Sequence, residues 1–553
     1  MSSEYKWLNA QSRLFLSRGY LPEGQTAEER IMRIAQRAEE VYAIPGFANK
    51  FLHYMKQGWI SLASPVWSNF GNERGLPISC NNSHIGDSVQ SILEKVAEIG
   101  TMTKHGAGTS AFLGDLRPRG SSISVGGTSF GPVHFAELIE KDVNIISQSN
   151  VRRGNCAVYL PVEHPDIMEF LEIREEGHPI QKLSIGVTIT RQWIAEMKAG
   201  DMEKRKVWWR IIQKRFETGY PYIMFYDNVN DALPAWYKDI GSTVKSSNLC
   251  TEILEPSTEE ESFVCDLSSL NIVEFENWVN TDLVYTVTIF LDMVMEEYIQ
   301  KTANIKFMEA PNRFARRHRS LGLGVLGWHS FLQSKMLPFG SKDAYVWNEK
   351  IHSHIQSESI RASRWMASEF GEPEVLQGYG MRNSMLNAIA PTKSSSFILG
   401  SGQISQSIEP IDSNYYIENL AKTKVTIRNK YLERALEDIG QNNPDTWMAV
   451  LLAGGSVQHL DIDPHVKSVF KTAVEIDQRD VILQAAQRQR FIDQSQSLNL
   501  MYHPSITSTI VSRDLLLAEA TGVKTLYYQH GKNVTQEYAR AQAAEATCTA
   551  CEA

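Results

Sequence analysis

The chain has 553 residues, 42% of them hydrophobic and 22% charged, enough for one large core or several smaller ones. A formal net charge of −9 argues against a broad phosphate-neutralising surface, so no nucleic-acid partner is expected. No apolar run approaches the roughly 18 residues of a membrane span, and the first residues lead into no signal segment, so a cytoplasmic, reducing location is expected.

Thr26 and Glu29 form a capping box, and Ile31, Ile34, Ala38 and Val41 follow at helical spacing. Residues 1–78 therefore read as a helical N-terminal region. From Cys80 onward, short apolar runs (185–189, 222–225) alternate with amphipathic stretches such as 91–103, which predicts an α/β domain with a buried sheet over 79–411. The more polar stretch 412–484 reads as a small inserted lobe. Residues 485–540 complete the main domain, with a helix over 514–521 ended by Gly522 and a strand over 523–528. The Ala-rich, polar segment 541–553 reads as a mobile tail. Gly322, Gly324 and Gly327 spell G-x-G-x-x-G, but a basic run, 313–319, precedes them where a dinucleotide fold needs a buried strand, so close helix packing is the expectation. The basic run itself reads as a solvated helix face.

Six cysteines, at 80, 156, 250, 265, 548 and 551, lie in a chain too large to need stapling and without a secretion signal, and read as thiols with a task or as inert core residues. In Ser247-Asn248-Leu249-Cys250-Thr251-Glu252, side chains two apart share one side of an extended backbone, which would join an amide, a thiol and a carboxylate. Such a trio can orient sugar hydroxyls, react at a neighbouring carbon and move a proton; a buried structural cysteine beside solvated polar residues is the plain alternative. Cys80 and Cys265, if folding unites them, can supply two electrons by closing to a disulfide, and Cys548-x-x-Cys551 suits the exchange that reopens it. A zinc site would need two further ligands that the sequence does not offer at finger spacing.

The phrase Ser-Asn-Leu-Cys-Thr-Glu, the early Cys80 followed by Gly86-Asp87-Ser88, and the C-terminal cysteine pair together resemble the large subunit of ribonucleotide reductase from about Leu62 onward. The resemblance implies a ten-stranded α/β barrel with Cys250 on an internal loop as the thiyl-radical position. It implies Glu252 as the base on the 3′-hydroxyl, Asn248 as the holder of the sugar hydroxyls, and Cys80 with Cys265 as the reductant of the 2′ carbon. Cys548 and Cys551 resemble the pair renewed by a thioredoxin or glutaredoxin-type partner. Tyr527 and Tyr528 resemble the relay of class I enzymes, which take their radical from a separate small (beta) subunit that carries the metal-radical cofactor; no metal is expected in this chain. Ser64, Ser79, Gly106 and Pro391-Thr392-Lys393-Ser394-Ser395-Ser396 resemble the substrate diphosphate shell. Asp87, Ser88, Arg117, Gln148 and Arg152 resemble the site for dNTP or ATP allosteric effectors, at a homodimer interface. Only a short stretch precedes Cys80, so no N-terminal ATP-cone is expected. Cys156 has no role assigned. The alternatives are an adenosylcobalamin-dependent reductase, a non-radical thiol oxidoreductase, and an inactive nucleotide-binding regulatory homologue.

Overall fold

The computed structural model describes residues 4–73, 75–146, 154–420 and 423–531. Nine strands form its main sheet: β1 (Ile60–Leu62), β2 (Cys80–His84), β3 (Thr109–Phe112), β4 (Cys156–Pro161), β5 (Ser184–Ile189), β6 (Tyr222–Phe225), β7 (Phe263–Asn271), β8 (Leu321–Leu326) and, near the C-terminus, Thr525–Leu526. β2 to β6 run parallel, joined by crossovers that place helices such as Val89–Lys104 and Met202–Thr218 outside them. β7 pairs antiparallel with β2, and β8 parallel with β7. Strands buried on both faces are continuous apolar or small-residue runs, as in Cys156–Pro161.

The sheet continues past β8 through two segments too irregular to be strands. Leu323 bridges Asn387 and Ile389 bridges Gln496, both in the parallel sense. The Tyr527 amide then donates to the Leu498 carbonyl at 2.9 Å, and Thr525–Leu526 pairs antiparallel with β6. The result is a closed ring of two parallel halves. The ten expected strands are thus realised as eight strands and two bridged segments, with β1 outside the ring on the far part of β7. Full closure removes exposed edges and leaves an interior lined by inward-facing side chains.

Helices Ala10–Leu16, Ala27–Tyr42 and Phe47–Gln57 precede β1, and the Thr26–Glu29 capping box is present. Helix Leu283–Thr302 is buried along most of its length against β7 and β8, as its almost uninterrupted apolar sequence requires. The basic run expected to be a solvated face belongs to helix Glu309–His318, but Arg319 after it is buried in ion pairs with Asp292 and Glu296. The first two G-x-G-x-x-G glycines reflect strand packing and not helix packing, and the third, Gly327, caps helix Trp328–Ser334 at φ +91°. Gly322 and Gly324 lie in β8, where an added Cβ would stand 2.3 Å from Leu267 Cδ2 and 2.4 Å from the Ala388 carbonyl oxygen. Between the barrel segments, the hairpin of β9 (Tyr415–Leu420) and β10 (Thr423–Arg428) and helices Lys430–Asp438 and Pro444–Leu452 gather around a separate core that includes Leu432, Trp447 and Phe470. Helix Gln478–Gln489, which begins inside the span assigned to the lobe and runs past its end, packs into the main core instead.

Candidate active site

The loop that carries Cys250 is held from three sides by the closing segments of the ring. Ser497 Oγ donates to the Cys250 carbonyl at 2.6 Å, Thr525 Oγ1 to the Thr251 carbonyl at 2.9 Å, and the Ser495 amide to the Glu252 carbonyl at 2.9 Å. Within the loop, Asn248 Oδ1 accepts from the Ile253 amide at 3.1 Å. Thr251 has φ +72°, a left-handed conformation that costs a non-glycine residue on the order of 1–2 kcal/mol. The carbonyl bonds on either side hold it there, and the turn lets the side chains of Asn248, Cys250 and Glu252 be buried together.

Three polar atoms around Cys250 are buried without a partner of hydrogen-bond geometry among the described residues: Asn248 Nδ2, Thr251 Oγ1 and Glu252 Oε1. Leaving buried polar groups unmade costs about 1–3 kcal/mol each, so their clustering marks a place for a polar ligand. Burial raises the Glu252 carboxyl to about 7, against the opposing pull of Asn248 and the 3.2 Å hydrogen bond from Ser497 Oγ. A carboxyl balanced near neutrality can take up or release a proton at working pH.

Cys80 and Cys265 are direct cross-strand partners in the antiparallel pairing of β2 with β7. Such partners have Cα atoms about 4.5–5.5 Å apart, within the range a disulfide spans. No disulfide joins the four cysteines among the described residues. Burial pushes the Cys80 thiol well up; Glu252, Cys250 and Cys265 add to this, and the Asn248 amide opposes it. The same residues therefore link the strand pair to the loop. The Cys265 thiol is likewise raised, first by burial and then by Glu255, while Gln494 Nε2 at 3.2 Å and Ser320 Oγ at 3.5 Å donate to its sulfur.

Tyr527 and Tyr528 follow the last ring strand, with ring centroids 4.2 Å apart. Continuing the register of that strand against β6 sets Tyr527 opposite Tyr222, and their rings lie 4.7 Å apart. Tyr220 adds a fourth ring, its hydroxyl 3.2 Å from that of Tyr528. Burial raises the Tyr528 phenol and Cys250 is among the groups acting on it, which puts the cluster beside the loop. Tyr220 and Tyr222 did not stand out in the sequence, since aromatic residues entering a strand are ordinarily core. The spacing Tyr-Pro-Tyr leading into the first residue of a strand was the one available signal.

The hydroxyl-rich run is the first turn of helix Lys393–Gly400. Thr392 occupies its N-cap without a side-chain cap bond, and Ser394, Ser395 and Ser396 are buried, whereas Lys393 is exposed. An uncapped helix N-terminus is a natural anion site. Ser61 Oγ ties β1 to the Ser395 carbonyl at 3.1 Å; Ser64 and Ser79 are buried, and Gly106 adopts φ +83° after helix Val89–Lys104. At the start of that helix Ser88 is the N-cap, and Asp87 pairs with Arg117 at 2.8 Å on the surface. Gln148, Arg152, Cys548 and Cys551 lie outside the described residues. Cys156 is buried in β4, where burial pushes its thiol up to about 12, a setting that suits an inert core residue. Among the described residues no group of His, Cys, Asp and Glu is arranged to hold a metal ion, and no helix is long and apolar enough to cross a membrane.

The family model for the ribonucleotide reductase barrel domain matches residues 78–203, 192–376 and 373–529. The chain belongs to the ribonucleotide reductase family. It is similar to the class Id ribonucleotide reductase alpha subunit of Actinobacillus ureae, with 48% identity, a TM-score of 0.91 and coverage of 96% of this chain and 98% of that one. It is 33% identical to a putative ribonucleoside-diphosphate reductase large subunit of Frog virus 3, over 92% of this chain and 93% of the relative. A large subunit from Invertebrate iridescent virus 3 is 30% identical over 88% of each. The ring of two parallel halves around the Cys250 loop is this family's barrel.

Proposed function

We propose that this reductase-family chain is the catalytic large subunit of a class I ribonucleoside-diphosphate reductase, converting ribonucleoside diphosphates to their 2′-deoxy forms. The observation that carries the reading is the enclosure, in one buried site, of the Cys250 thiol, the Asn248 and Glu252 polar atoms that lack a close hydrogen bond and the cross-strand thiols of Cys80 and Cys265. Cys250, as a thiyl radical, removes the 3′ hydrogen of the ribose. Glu252 takes the 3′-hydroxyl proton while Asn248 holds the sugar hydroxyls. The 2′-hydroxyl leaves as water, and Cys80 and Cys265 supply two electrons and two hydrogens as they close to a disulfide. Enclosure protects a carbon radical from side reactions.

The uncapped helix at Thr392, with Ser394 to Ser396 and the neighbouring Ser64, Ser79 and Gly106, receives the diphosphate. The radical comes from the metal-containing cofactor of a small subunit and enters through Tyr528 and Tyr527. Cys548 and Cys551 reopen the Cys80–Cys265 disulfide and are themselves renewed by a thioredoxin or glutaredoxin-type reductant. Deoxynucleotide or ATP effectors bind near Asp87, Ser88 and Arg117, with Gln148 and Arg152 reporting on them. The assembly is a homodimer: helices Val89–Lys104 and Gly131–Ile145 pack together and leave Val89, Leu93, Leu138, Ile145 and Ile146 exposed, an apolar stripe suited to a second copy. The protein works in the cytoplasm.

The test is steady-state CDP reduction by the full chain with its small subunit and thioredoxin. Wild type should turn over only with the small subunit, and Tyr527→Phe and Tyr528→Phe should fall to background while keeping wild-type melting temperatures. Full activity with adenosylcobalamin and no small subunit would point to the cobalamin-dependent alternative.

A further inference from the structure

Behind Cys265 an unbroken file of buried polar groups leads to the surface. Ser320 Oγ lies 3.5 Å from Cys265 Sγ and within hydrogen-bond reach of Glu255 Oε1, whose O–H donates to it while the carboxyl is protonated. Tyr237 donates its hydroxyl to Glu255 Oε2 at 2.5 Å and stands 2.8 Å from His318 Nδ1. His318 Nε2 faces Glu261 Oε2 at 3.4 Å, and Glu261 pairs with Arg317, which reaches the exposed Glu374. Glu255, Tyr237, His318 and Ser320 are all buried, and none has a place in the reduction chemistry described above. Such a file is costly to build unless every member is satisfied, and here each has partners on both sides.

We propose that the file Ser320–Glu255–Tyr237–His318 returns a proton to Cys265 whenever the Cys80–Cys265 disulfide is opened by a thiol. This rests on the reading of Cys80 and Cys265 as the redox pair. An incoming thiolate attacks Cys80 Sγ, a new S–S bond forms there, and the electron pair of the broken bond stays on Cys265 Sγ. Cys265 is the better leaving group, because Gln494 and Ser320 both donate to its sulfur. Protonated Glu255 donates to Ser320 Oγ as the Ser320 O–H passes its proton to the thiolate. Tyr237 then reprotonates Glu255 and is refilled from His318, which draws on solvent at the Glu261 and Arg317 edge. The second thiolate of the dithiol attacks the mixed disulfide at the dithiol's own sulfur and expels Cys80 as a thiolate, which takes a proton from the neighbouring Glu252 carboxyl. The two protons lost when the dithiol ionised are thereby returned, and the dithiol leaves as a disulfide.

The electrostatics fit this direction. Burial holds Glu255 up at about 8, opposed by Ser320 and Tyr237 and reinforced by Asp493, so it carries a proton at neutral pH. Burial holds His318 below the usual histidine range, with Glu261 and Glu374 opposing and Arg317 reinforcing, so it gives up a proton readily once charged. A buried thiolate without a proton source is a poor leaving group, which is the difficulty the file removes.

The experiment measures reduction of the oxidised full chain by a small dithiol, quenched by alkylation and read by peptide mapping of Cys80 and Cys265. Glu255→Gln, close to isosteric, should slow the opening roughly 100-fold, the scale of general acid catalysis. Ser320→Ala and His318→Asn should also slow it, and Glu255→Asp should restore part of the rate. Normalised to dithiol thiolate, the wild-type rate should fall as pH rises through about 8, and this fall should vanish in Glu255→Gln. Wild-type rates and an unchanged pH profile in Glu255→Gln would overturn the relay while leaving the redox pair intact. Turnover without dithiol that yields no Cys80–Cys265 disulfide would overturn the pair and the relay with it.

Discussion

Two regions bring sulfur to this site by different means. The Cys250 loop is irregular: its conformation includes a left-handed Thr251 and depends on hydroxyl and amide donors from Ser495, Ser497 and Thr525. Cys80 and Cys265 need no such scaffolding, because the antiparallel register of β2 with β7 alone makes them neighbours. The loop can therefore be perturbed one anchor at a time, whereas the strand pair changes only if the pairing register of two buried strands changes. One short segment serves both regions. Glu252 faces the loop site and Glu255, three residues on, backs Cys265, and burial lifts both carboxyls toward neutrality.

The largest expected effect separates the two regions outright. Cys250→Ser should abolish deoxynucleotide formation even in a first turnover, because an alcohol O–H resists conversion to a radical, while equilibrium binding of CDP persists. Product formed by this variant at a measurable rate would assign the radical to another residue. Glu252→Gln comes next. It keeps the size of the side chain and its bond from Ser497 but removes the carboxylate proposed as the base, so CDP reduction should fall about 100-fold. In wild type, the rate of the radical step should rise with pH through about 7, as Glu252 becomes a carboxylate; the variant should lose that rise. Rapid-quench rates across pH 6 to 8 would decide it.

Much of the loop site was legible because its members are strung together: Asn248, Cys250 and Glu252 sit two apart in one phrase. The meeting of Cys80 with Cys265 was legible only as a hope, since register between distant strands leaves no local trace. The closing segments were opaque for a related reason. Residues 495–498, Ser-Gln-Ser-Leu, have no strand pattern because their side chains serve the loop and their backbone serves the ring. The glycines of β8 misled in the opposite direction: they suggest close helix packing, but Gly324 lets the Ala388 carbonyl and Gly322 the Leu267 side chain approach the strand. Alternation of apolar runs and amphipathic helices gave the α/β class, and the closed ring could come only from the family resemblance.

Ser497→Ala tests the claim that the loop is held by its anchors. The variant removes the donor to the Cys250 carbonyl and to Glu252, leaving two buried acceptors short of a partner. Stability should drop by about 1–3 kcal/mol in denaturant titration. Turnover should fall several-fold while the Cys80–Cys265 disulfide still forms and reopens normally. An equal loss in the disulfide half-reaction would show that the two regions are not independently held.

The smallest effect concerns stability and pH, and it distinguishes the two carboxyls. An unfolded glutamate titrates near 4.3, whereas Glu252 and Glu255 are lifted to about 7 and about 8 in the fold. Because the folded protein binds these protons more tightly, each group contributes stability that is fully present below the unfolded value and is lost as pH rises through the folded one. Between pH 6 and 7 both groups should lower stability, and between 7 and 8 chiefly Glu255 should, by about 1.4 kcal/mol per pH unit for each group still protonated. Glu409, lifted to about 8 by burial and Asp412, adds a slope of the same sign, while Lys524, lowered to about 8 by burial, acts oppositely only above that pH. Glu255→Gln should therefore flatten the decline over the whole of pH 6 to 8, whereas Glu252→Gln should flatten it only up to about 7. Guanidinium unfolding of each variant at half-unit pH steps measures the difference; identical slopes in the two variants would mean that the carboxyls do not titrate separately, and that the loop and the strand pair share one electrostatic site.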